Sequence, residues 1–239
     1  MAQALVPLKD LVQAKSRLAG LLSPSERRAL AQAMVEDVLG VLSSHSQIRR
    51  VVLVSDDPAA GLLANQYATD CWSERSLGCR GLNAVIRQAS QRLLAETDEP
   101  LLVLHGDLPL LTQTDISAVL QQQRQLDGLV IGCDLQGTGT NLLAFTPGSV
   151  PRFCFGADSC ARHQSAARRA GVAVRVVRRP GIALDVDEPR DMQSLIAAMG
   201  DKSSGKTYDL LHGKGLGARV ELALATLAGE CAQGRGIAN

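Results

Sequence analysis

Residues 101–110 read Leu-Leu-Val-Leu-His-Gly-Asp-Leu-Pro-Leu, and this stretch decides the fold class. Leu101–Leu104 are continuously apolar, which is typical of a strand that is buried on both faces of a sheet. The strand ends at His105 and Gly106, so the carboxylate of Asp107 lies at its carboxyl end. Sheets built from such strands are parallel or mostly parallel and have helices on both faces.

The same pattern continues in both directions along the chain. Further apolar runs predict strands at residues 4–7, 51–54, 129–133, 142–145, 172–177 and 182–186. Helical periodicity predicts helices from the Ser23 cap to about residue 42, and then over 83–96, from Thr112 or Thr114 to 126, over 159–170 and over 189–199. The sequence therefore predicts an α/β fold with a mostly parallel sheet, and ligands in such sheets bind beyond the carboxyl ends of the strands.

The length of 239 residues fits one domain with an appendage. We assign residues 1–199 to the domain and residues 200–239 to a C-terminal extension made of a polar linker, one amphipathic helix and a frayed end. The helix has an apolar stripe at Leu216, Val220, Leu224 and Leu227, which must be buried on the main body or on a second subunit. The sequence thus leaves a homodimer open, and we expect the extension to be dispensable for chemistry.

Composition excludes several classes of protein. The 25 Lys and Arg residues are balanced by 24 Asp and Glu residues, and only 3% of residues are aromatic. A nucleic-acid-binding protein would need a basic surplus or stacking platforms, so we expect no nucleic-acid partner. No apolar run reaches the ~18–20 residues of a membrane span, and residues 1–10 lack the features of a signal peptide. We expect a cytoplasmic protein without a membrane partner.

Residues 200–207 match the P-loop pattern G-x-x-x-x-G-K-[ST] literally. A working P-loop follows a buried strand, and its amide groups and the next helix then surround phosphates. Here a helix precedes the match, and only 32 residues follow Thr207. We therefore interpret this segment as a flexible linker.

Two clusters of charge suggest phosphate and metal chemistry. Lys9, Lys15 and Arg17 follow the first strand, where cations could neutralise a polyphosphate; a solvated basic turn is the alternative. Asp185 and Asp187 are two residues apart in an extended segment, so they should point to one face. Like charges at that distance favour a cation between them, and Mg²⁺ shared with Asp107 is the simplest candidate. Helix capping or a turn would also explain these aspartates.

A third cluster could bind a small anion. Residues 137–141 and 155–159 are rich in glycine and hydroxyl side chains, and Ser159 lies at a predicted helix start, where the helix dipole favours an anion. Local capping is the alternative. His163 lies one turn further along that helix, and we expect it on the surface rather than in the pocket.

Together these segments resemble the guanylyltransferases that activate three-carbon phospho-acids during assembly of the deazaflavin coenzyme F-420. The resemblance covers roughly residues 4–197. It rests on Pro7-Leu8-Lys9, residues 14–18, Gly81-Leu82-Asn83-Ala84, residues 106–110, Gly139-Thr140-Asn141, Phe155-Gly156 with Ser159 and His163, and residues 184–187. The family is similar in fold to nucleotide-sugar transferases, so the resemblance implies a single nucleotidyltransferase domain.

The resemblance also implies roles for individual residues. GTP phosphates would be held by Lys9, Lys15 and Arg17, ribose and guanine by Asp56 and Asn83, Mg²⁺ by Asp107, Asp185 and Asp187, and the phospho-acid by Thr140, Gly156 and Ser159. Asp107 and Lys15 would be the catalytic pair.

The implied reaction joins GTP to a phospho-acid and releases diphosphate. We favour 3-phospho-D-glycerate as the acceptor, with phosphoenolpyruvate and 2-phospho-L-lactate also open. Alternatives are a sugar-phosphate or molybdopterin nucleotidyltransferase of the same fold, and a non-catalytic GTP-binding assembly protein.

Overall fold

The computed structural model describes residues 1–11, 13–200, 204–213 and 215–234, with no account of the side chains from residue 227 onward. Within these residues the chain forms a seven-stranded sheet flanked by helices. The strands are β1 (Ala2–Pro7), β2 (Ile48–Val54), β3 (Asp70–Trp72), β4 (Leu101–Leu104), β5 (Leu129–Cys133), β6 (Thr140–Phe145) and β7 (Val174–Val177). The helices are α1 (Pro24–Ser44), α2 (Pro58–Gln66), α3 (Leu82–Leu94), α4 (Gln113–Leu126), α5 (Ser159–Arg169), α6 (Pro180–Ala183), α7 (Pro189–Ala198), α8 (Lys206–Gly213) and α9 (Leu216–Gly234).

The strands follow the order β3-β2-β1-β4-β6-β5-β7. All the pairings are parallel except those of β6, which runs antiparallel to β4 and to β5. The start of β6 therefore lies at the same edge of the sheet as the carboxyl ends of β1 and β4. The α/β fold with a mostly parallel sheet is confirmed.

Alternating residues of β1 divide the core into two layers. Ala4 and Val6 pack in a cluster with α1, α2 and α4, whereas Leu5 packs in a cluster with α3 and α5 on the opposite face. Helices thus cover both faces of the sheet, as the continuous apolar strands require. None of the described helices is long and apolar enough to cross a membrane.

A third hydrophobic cluster lies beside the sheet and includes the C-terminal helices. This cluster joins the C-terminal helices to four parts of the main body. Its buried members there are Leu18, Leu21 and Leu22, Leu30 and Met34 of α1, Leu184 and Val186, and residues of α7. Leu216 and Val220 are buried here, and Leu224 is partly buried. The apolar stripe of the extension is therefore buried on the main body, except for Leu227, whose side chain lies outside the described residues.

Two of the sequence-based predictions are wrong. Residues 182–186 do not form a strand, because Pro180 starts the single helical turn α6 and residues 184–187 continue as irregular chain. Within the predicted linker, residues 206 and 207 are the start of α8, so the described part of the extension contains two helices instead of the single one predicted. The sequence also missed the edge strand β3, whose three residues carry little apolar signal.

Gly181 fixes the position of α6 against α4. Arg179 donates from Nε to Asp115 Oδ1 at 2.6 Å, and Asp115 also caps α4 through the Thr112 backbone. A Cβ atom at Gly181 would overlap Asp115 Oδ2 and lie 2.5 Å from the carbonyl oxygen of Leu110. This close approach holds the segment that leads to Asp185.

Gly181→Ala should therefore lower the free energy of unfolding by about 1–3 kcal/mol, because a methyl group would be forced into a filled core. Gly61→Ala is the matched control, since none of the described atoms lies within 4 Å of its Cβ position in α2. That control should gain about 0.5–1 kcal/mol. Urea unfolding of both variants measures the difference, and equal stabilities would contradict the packing described.

Candidate active site

A cavity of about 620 Å³ lies at the carboxyl edge of β1 and β4. Its lining includes every residue that the sequence analysis assigned to phosphate or metal: Lys9, Lys15, Arg17, Asp107, Asp185 and Asp187. These residues come from three distant parts of the chain. The parallel strands bring them together because their carboxyl ends meet at one edge.

Lys15 bridges two carboxylates in this cavity. Its Nζ atom lies 2.5 Å from Asp107 Oδ2 and 2.7 Å from Asp187 Oδ1. The Lys15 side chain is only 7% exposed, whereas those of Asp107 and Asp187 are 24% and 50% exposed. One buried cation thus joins the loop after β1, the loop after β4 and the segment before α7.

The ion pairs change the ionisation of this cluster. Burial alone would lower the pKa of Lys15, but the charges of Asp107 and Asp187 outweigh it and raise that pKa above its ordinary value. Burial would raise the pKa of Asp107, yet the neighbouring Lys15 charge brings it below its ordinary value. Lys15 therefore stays charged at neutral pH, and Asp107 stays ionised.

Asp57 holds the backbone of the basic loop, the segment after β1 that carries Lys9, Lys15 and Arg17. The Leu11 N–H donates to Asp57 Oδ2 at 2.7 Å, and Asp57 Oδ1 accepts from the Ala59 N–H at the start of α2. The backbone of Lys15 adopts the left-handed conformation, with φ 56° and ψ 36°. For a residue that has a Cβ atom this conformation costs about 1–2 kcal/mol. Asp57 is the N-cap of α2, and its contact with Leu11 left no signal in the sequence.

Asp185 is oriented by an asparagine of β6. Asn141 Nδ2 donates to Asp185 Oδ1 at 3.0 Å and to the Ile182 carbonyl at 2.9 Å. Burial raises the pKa of Asp185, and the negative charge of Asp107 raises it further. Asn141 was overlooked as a site residue, although an amide at the start of an otherwise apolar strand was a usable signal.

The three aspartates do not assemble as a single metal cluster. Among the described residues, no group of three His, Cys, Asp or Glu side chains could hold an ion. The reason is that the Lys15 ammonium group already lies between Asp107 and Asp187. Asp107 Oδ1, however, is buried without a hydrogen-bond partner in the described part of the chain. A cation shared by Asp107 and Asp185 would satisfy that oxygen and relieve the repulsion.

Arg17, Asp56 and Asn83 have other partners. Arg17 is 69% exposed and donates to Glu188 Oε1 at 3.0 Å. Asp56 is exposed and accepts from the Ser73 hydroxyl at 2.6 Å. Asn83 Oδ1 accepts from the Phe155 N–H at 2.8 Å, while its Nδ2 donates to the Phe155 carbonyl at 3.1 Å. The Asn83 amide thus holds the loop before α5. One Nδ2 proton and one Oδ1 lone pair of Asn83 remain for a nucleotide base.

The predicted acceptor residues Thr140, Gly156 and Ser159 do not belong to the lining of the cavity. Thr140 directly precedes Asn141, which lines the cavity. Gly156 has φ 119°, which a residue with a side chain rarely adopts, and it leads through Asp158 into α5, where Ser159 is the first residue. Thr140 and Ser159 are 3% and 2% exposed, so both side chains are buried in this structure.

The expectation that His163 lies on the surface is wrong. Its ring is fully buried, with the Cys154 N–H donating to Nε2 at 2.9 Å and Thr140 Oγ1 lying 3.1 Å from Nδ1. A backbone N–H can only donate, so Nε2 accepts and the proton lies on Nδ1, which donates to Thr140. Burial lowers the pKa of His163 to about 4. His163 therefore joins β6 to the loop before α5 as a neutral ring.

The backbone N–H groups of residues 206 and 207 are already bound to Asp37, which excludes a P-loop. Residues 201–203 lie outside the described residues, but the Lys206 and Thr207 N–H groups donate to Asp37 Oδ1 and Oδ2 at 2.6 and 2.9 Å. The Asp37 carboxylate thus takes the position of an anion at the start of α8. A phosphate at that position would meet a protein carboxylate instead of free donors.

Comparison with known proteins identifies the family of this chain. The family model described as "Guanylyl transferase CofC like" matches residues 2–225. The chain belongs to the CofC-like guanylyl transferase family. The family match extends through α8 and into α9, so it covers more than the domain predicted at residues 1–199.

Relatives of this CofC-like chain carry two names. The phosphoenolpyruvate guanylyltransferase of Rubrobacter xylanophilus is 40% identical over 198 residues, which are 82% of this chain and 94% of the relative. That of Conexibacter woesei is 36% identical over 206 residues, or 86% and 92% of the two chains. The 3-phospho-D-glycerate guanylyltransferase of Phenylobacterium zucineum is 36% identical over 197 residues, or 80% and 88%.

A solved structure shares the fold of this CofC-like chain. It is described as a nucleotide-diphospho-sugar transferase from Desulfovibrio desulfuricans. It superimposes with a TM-score of 0.77 at 19% identity and covers 93% of this chain and 97% of its own. The predicted likeness to nucleotide-sugar transferases in fold is therefore confirmed.

The buried neutral His163 makes stability dependent on pH. Its folded pKa of about 4 lies below the ~6.5 of an unfolded histidine, so acidification protonates the unfolded chain first. Stability should fall as the pH drops from 6.5 towards 4, by about 2 kcal/mol between pH 7 and pH 5 from this group. Urea unfolding of the parent and of His163→Gln at pH 7, 6 and 5 should show a smaller loss in the variant. Equal losses in both proteins would contradict the neutral buried ring.

Proposed function

We propose that the protein is a guanylyltransferase that joins GTP to a three-carbon phospho-acid and releases diphosphate. The observation that carries the proposal is the cluster of Lys15 with Asp107 and Asp187 in the cavity at the carboxyl edge of β1 and β4. A buried, permanently charged lysine beside carboxylates is suited to a triphosphate, and family membership supports the nucleotidyl transfer.

In this proposal the basic loop binds the nucleotide. Lys9 and Arg17 are exposed at the cavity and would contact the triphosphate from its open side. Lys15 would contact it from within, because its ammonium group has three donors and can keep one carboxylate while it takes a phosphate oxygen. Asp56 and Asn83 remain the proposed neighbours of ribose and guanine.

Mg²⁺ is the proposed cofactor, and the buried Asp107 Oδ1 without a partner among the described residues fits it. Asp107 and Asp185 would hold the ion, while Asp187 would stay paired with Lys15 or become a further ligand when a phosphate draws Lys15 away. Bound there, Mg²⁺ would neutralise phosphate charge and so assist departure of the diphosphate.

The chain's own contribution to the reaction is positioning and charge. A phosphate oxygen of the acceptor attacks the α-phosphorus of GTP, a new P–O–P bond forms, and the bond to the β-phosphate oxygen breaks in line with it. The cations of the basic loop stabilise the charge that develops on the leaving diphosphate. Thr140, Gly156 and Ser159 would orient the acceptor for this attack.

Three phospho-acids are candidates for the acceptor substrate. The relatives named above include both phosphoenolpyruvate and 3-phospho-D-glycerate guanylyltransferases, and both substrates carry a phosphate and a carboxylate on three carbons. We keep 3-phospho-D-glycerate as the favoured acceptor and phosphoenolpyruvate and 2-phospho-L-lactate as competitors. The product would serve the assembly of coenzyme F-420, as the family resemblance implies.

Diphosphate release from GTP and Mg²⁺ with each of the three acids in turn tests the function. We expect release that depends on the acid, and faster turnover with GTP than with ATP at equal concentration. No release with any of the acids would contradict the proposed reaction, and faster turnover with ATP would contradict the assignment of the base.

Two variants make the same assay specific to the site. Asp107→Asn should reduce turnover by about a hundredfold or more, because the amide lacks the charge that Lys15 and a cation require. Asp98→Asn is the matched control: Asp98 is exposed just before β4, at the opposite edge of the sheet, and its variant should keep the parent's turnover. Near-normal turnover of Asp107→Asn would place the chemistry elsewhere.

A further inference from the structure

The C-terminal helices share a hydrophobic cluster with the segments that carry the cavity's charged residues. Leu18 ends the short 3₁₀ turn that begins after Lys15, and it is fully buried. Leu184 and Val186 alternate with Asp185 and Asp187 and are also buried. All three apolar residues belong to the third hydrophobic cluster, which α8 and α9 complete through Leu211, Leu216 and Val220.

The same cluster contains apolar residues of both charged segments. In the segment 184–187 the apolar side chains enter the cluster while the carboxylates line the cavity. In the turn 15–18 the lysine and arginine line the cavity while Leu18 is buried in the cluster. The cluster thus supports both sides of the Lys15–Asp187 ion pair.

Polar contacts tie the extension to the same region. Arg219 of α9 donates from Nη1 to the Leu21 carbonyl at 3.2 Å and from Nη2 to Glu26 Oε1 at 2.6 Å. Glu26 is also the capping-box partner of Ser23 at the start of α1. Arg219 therefore links α9 to the chain that leads out of the 3₁₀ turn and into α1.

The other end of the extension is anchored to α1 itself. Asp37 accepts both N–H groups at the start of α8, and Thr207 is fully buried there. A carboxylate at a helix N-terminus is stabilised by the dipole as well as by the two hydrogen bonds. Both tail helices are thus fixed to the main body by directed contacts and not only by apolar burial.

We infer that α8 and α9 are positioning elements of the nucleotide site: they hold the turn that carries Lys15 and Arg17 and the segment that carries Asp185 and Asp187. This inference rests on the proposed function, because Lys15 and Arg17 are its proposed phosphate ligands. It replaces the expectation from the sequence that the extension is dispensable. The tail residues touch no reacting atom and act through Leu18, Leu21 and the segment 184–187.

Two leucine-to-alanine variants of equal burial test the inference. Leu211 in α8 is 1% exposed and belongs to the third cluster, whereas Leu93 at the end of α3 is 0% exposed and belongs to the cluster on the far face of the sheet. Both changes leave a cavity, so both should lower the melting temperature. Steady-state kinetics and Mg²⁺·GTP titration calorimetry are run below the melting transition of each variant.

Leu211→Ala should raise the KM and Kd for GTP about tenfold or more, because a displaced phosphate ligand loses its alignment. Leu93→Ala should keep the parent's values, since loss of stability alone changes neither constant in folded enzyme. Equal constants in parent, Leu93→Ala and Leu211→Ala would overturn the inference.

Arg219→Ala provides a second test that does not open the core, because this side chain is half exposed. It should weaken GTP binding in the same direction, and Leu222→Ala, whose side chain is 71% exposed on the same helix, should not. If Leu211→Ala does not fold, unchanged GTP binding by Arg219→Ala overturns the inference. If the parent binds GTP without turnover with any acid, the proposed reaction fails, while the binding comparison still decides the role of the tail.

Discussion

A single buried ammonium group holds together the edge of the sheet on which the site is built. Lys15 is drawn into a left-handed conformation and loses most of its exposure to water, and two carboxylates compensate for both costs. Asp107 and Asp187 lie 80 residues apart in sequence, yet both face this one cation. Without it, Asp107 and Asp187 would lose the cation that both of them contact, and their negative charges would repel each other and Asp185 in the same cavity.

The rest of the molecule supports this arrangement layer by layer. Parallel strands bring the three loops to one edge, and antiparallel β6 adds Asn141 at the same edge, where it orients Asp185. Neutral His163 fastens the start of β6 to the loop before α5, and Asn83 fastens that loop to α3. The cluster that contains the C-terminal helices also contains Leu18, Leu184 and Val186, the apolar neighbours of the charged residues. Tertiary packing therefore assembles the site, although the residues that form it belong to short sequence motifs.

The sequence predicted those parts of the fold in which local chemistry and tertiary packing agree. Continuous apolar runs predicted β1, β2, β4, β5, β6 and β7, and the Ser23 capping box predicted the start of α1, which the structure confirms. The sequence-based predictions were wrong where tertiary contacts outweighed the local sequence pattern. Pro180 started a helical turn in a segment that read as a strand, and Asp37, far away in sequence, capped a helix within the predicted linker. The burial of His163 could not be predicted from the sequence either, because both of its hydrogen-bond partners come from other parts of the chain.

Lys15 and Asp107 stabilise each other directly, and a double-mutant cycle measures their coupling. Free energies of unfolding at pH 7 are compared for the parent, Lys15→Met, Asp107→Asn and the double variant, all without added metal. We predict a favourable coupling of about 1–3 kcal/mol, because the pair is largely shielded from water and shares a hydrogen bond. Changes that add to within about 0.5 kcal/mol would show that the two groups are independent, and would contradict the account.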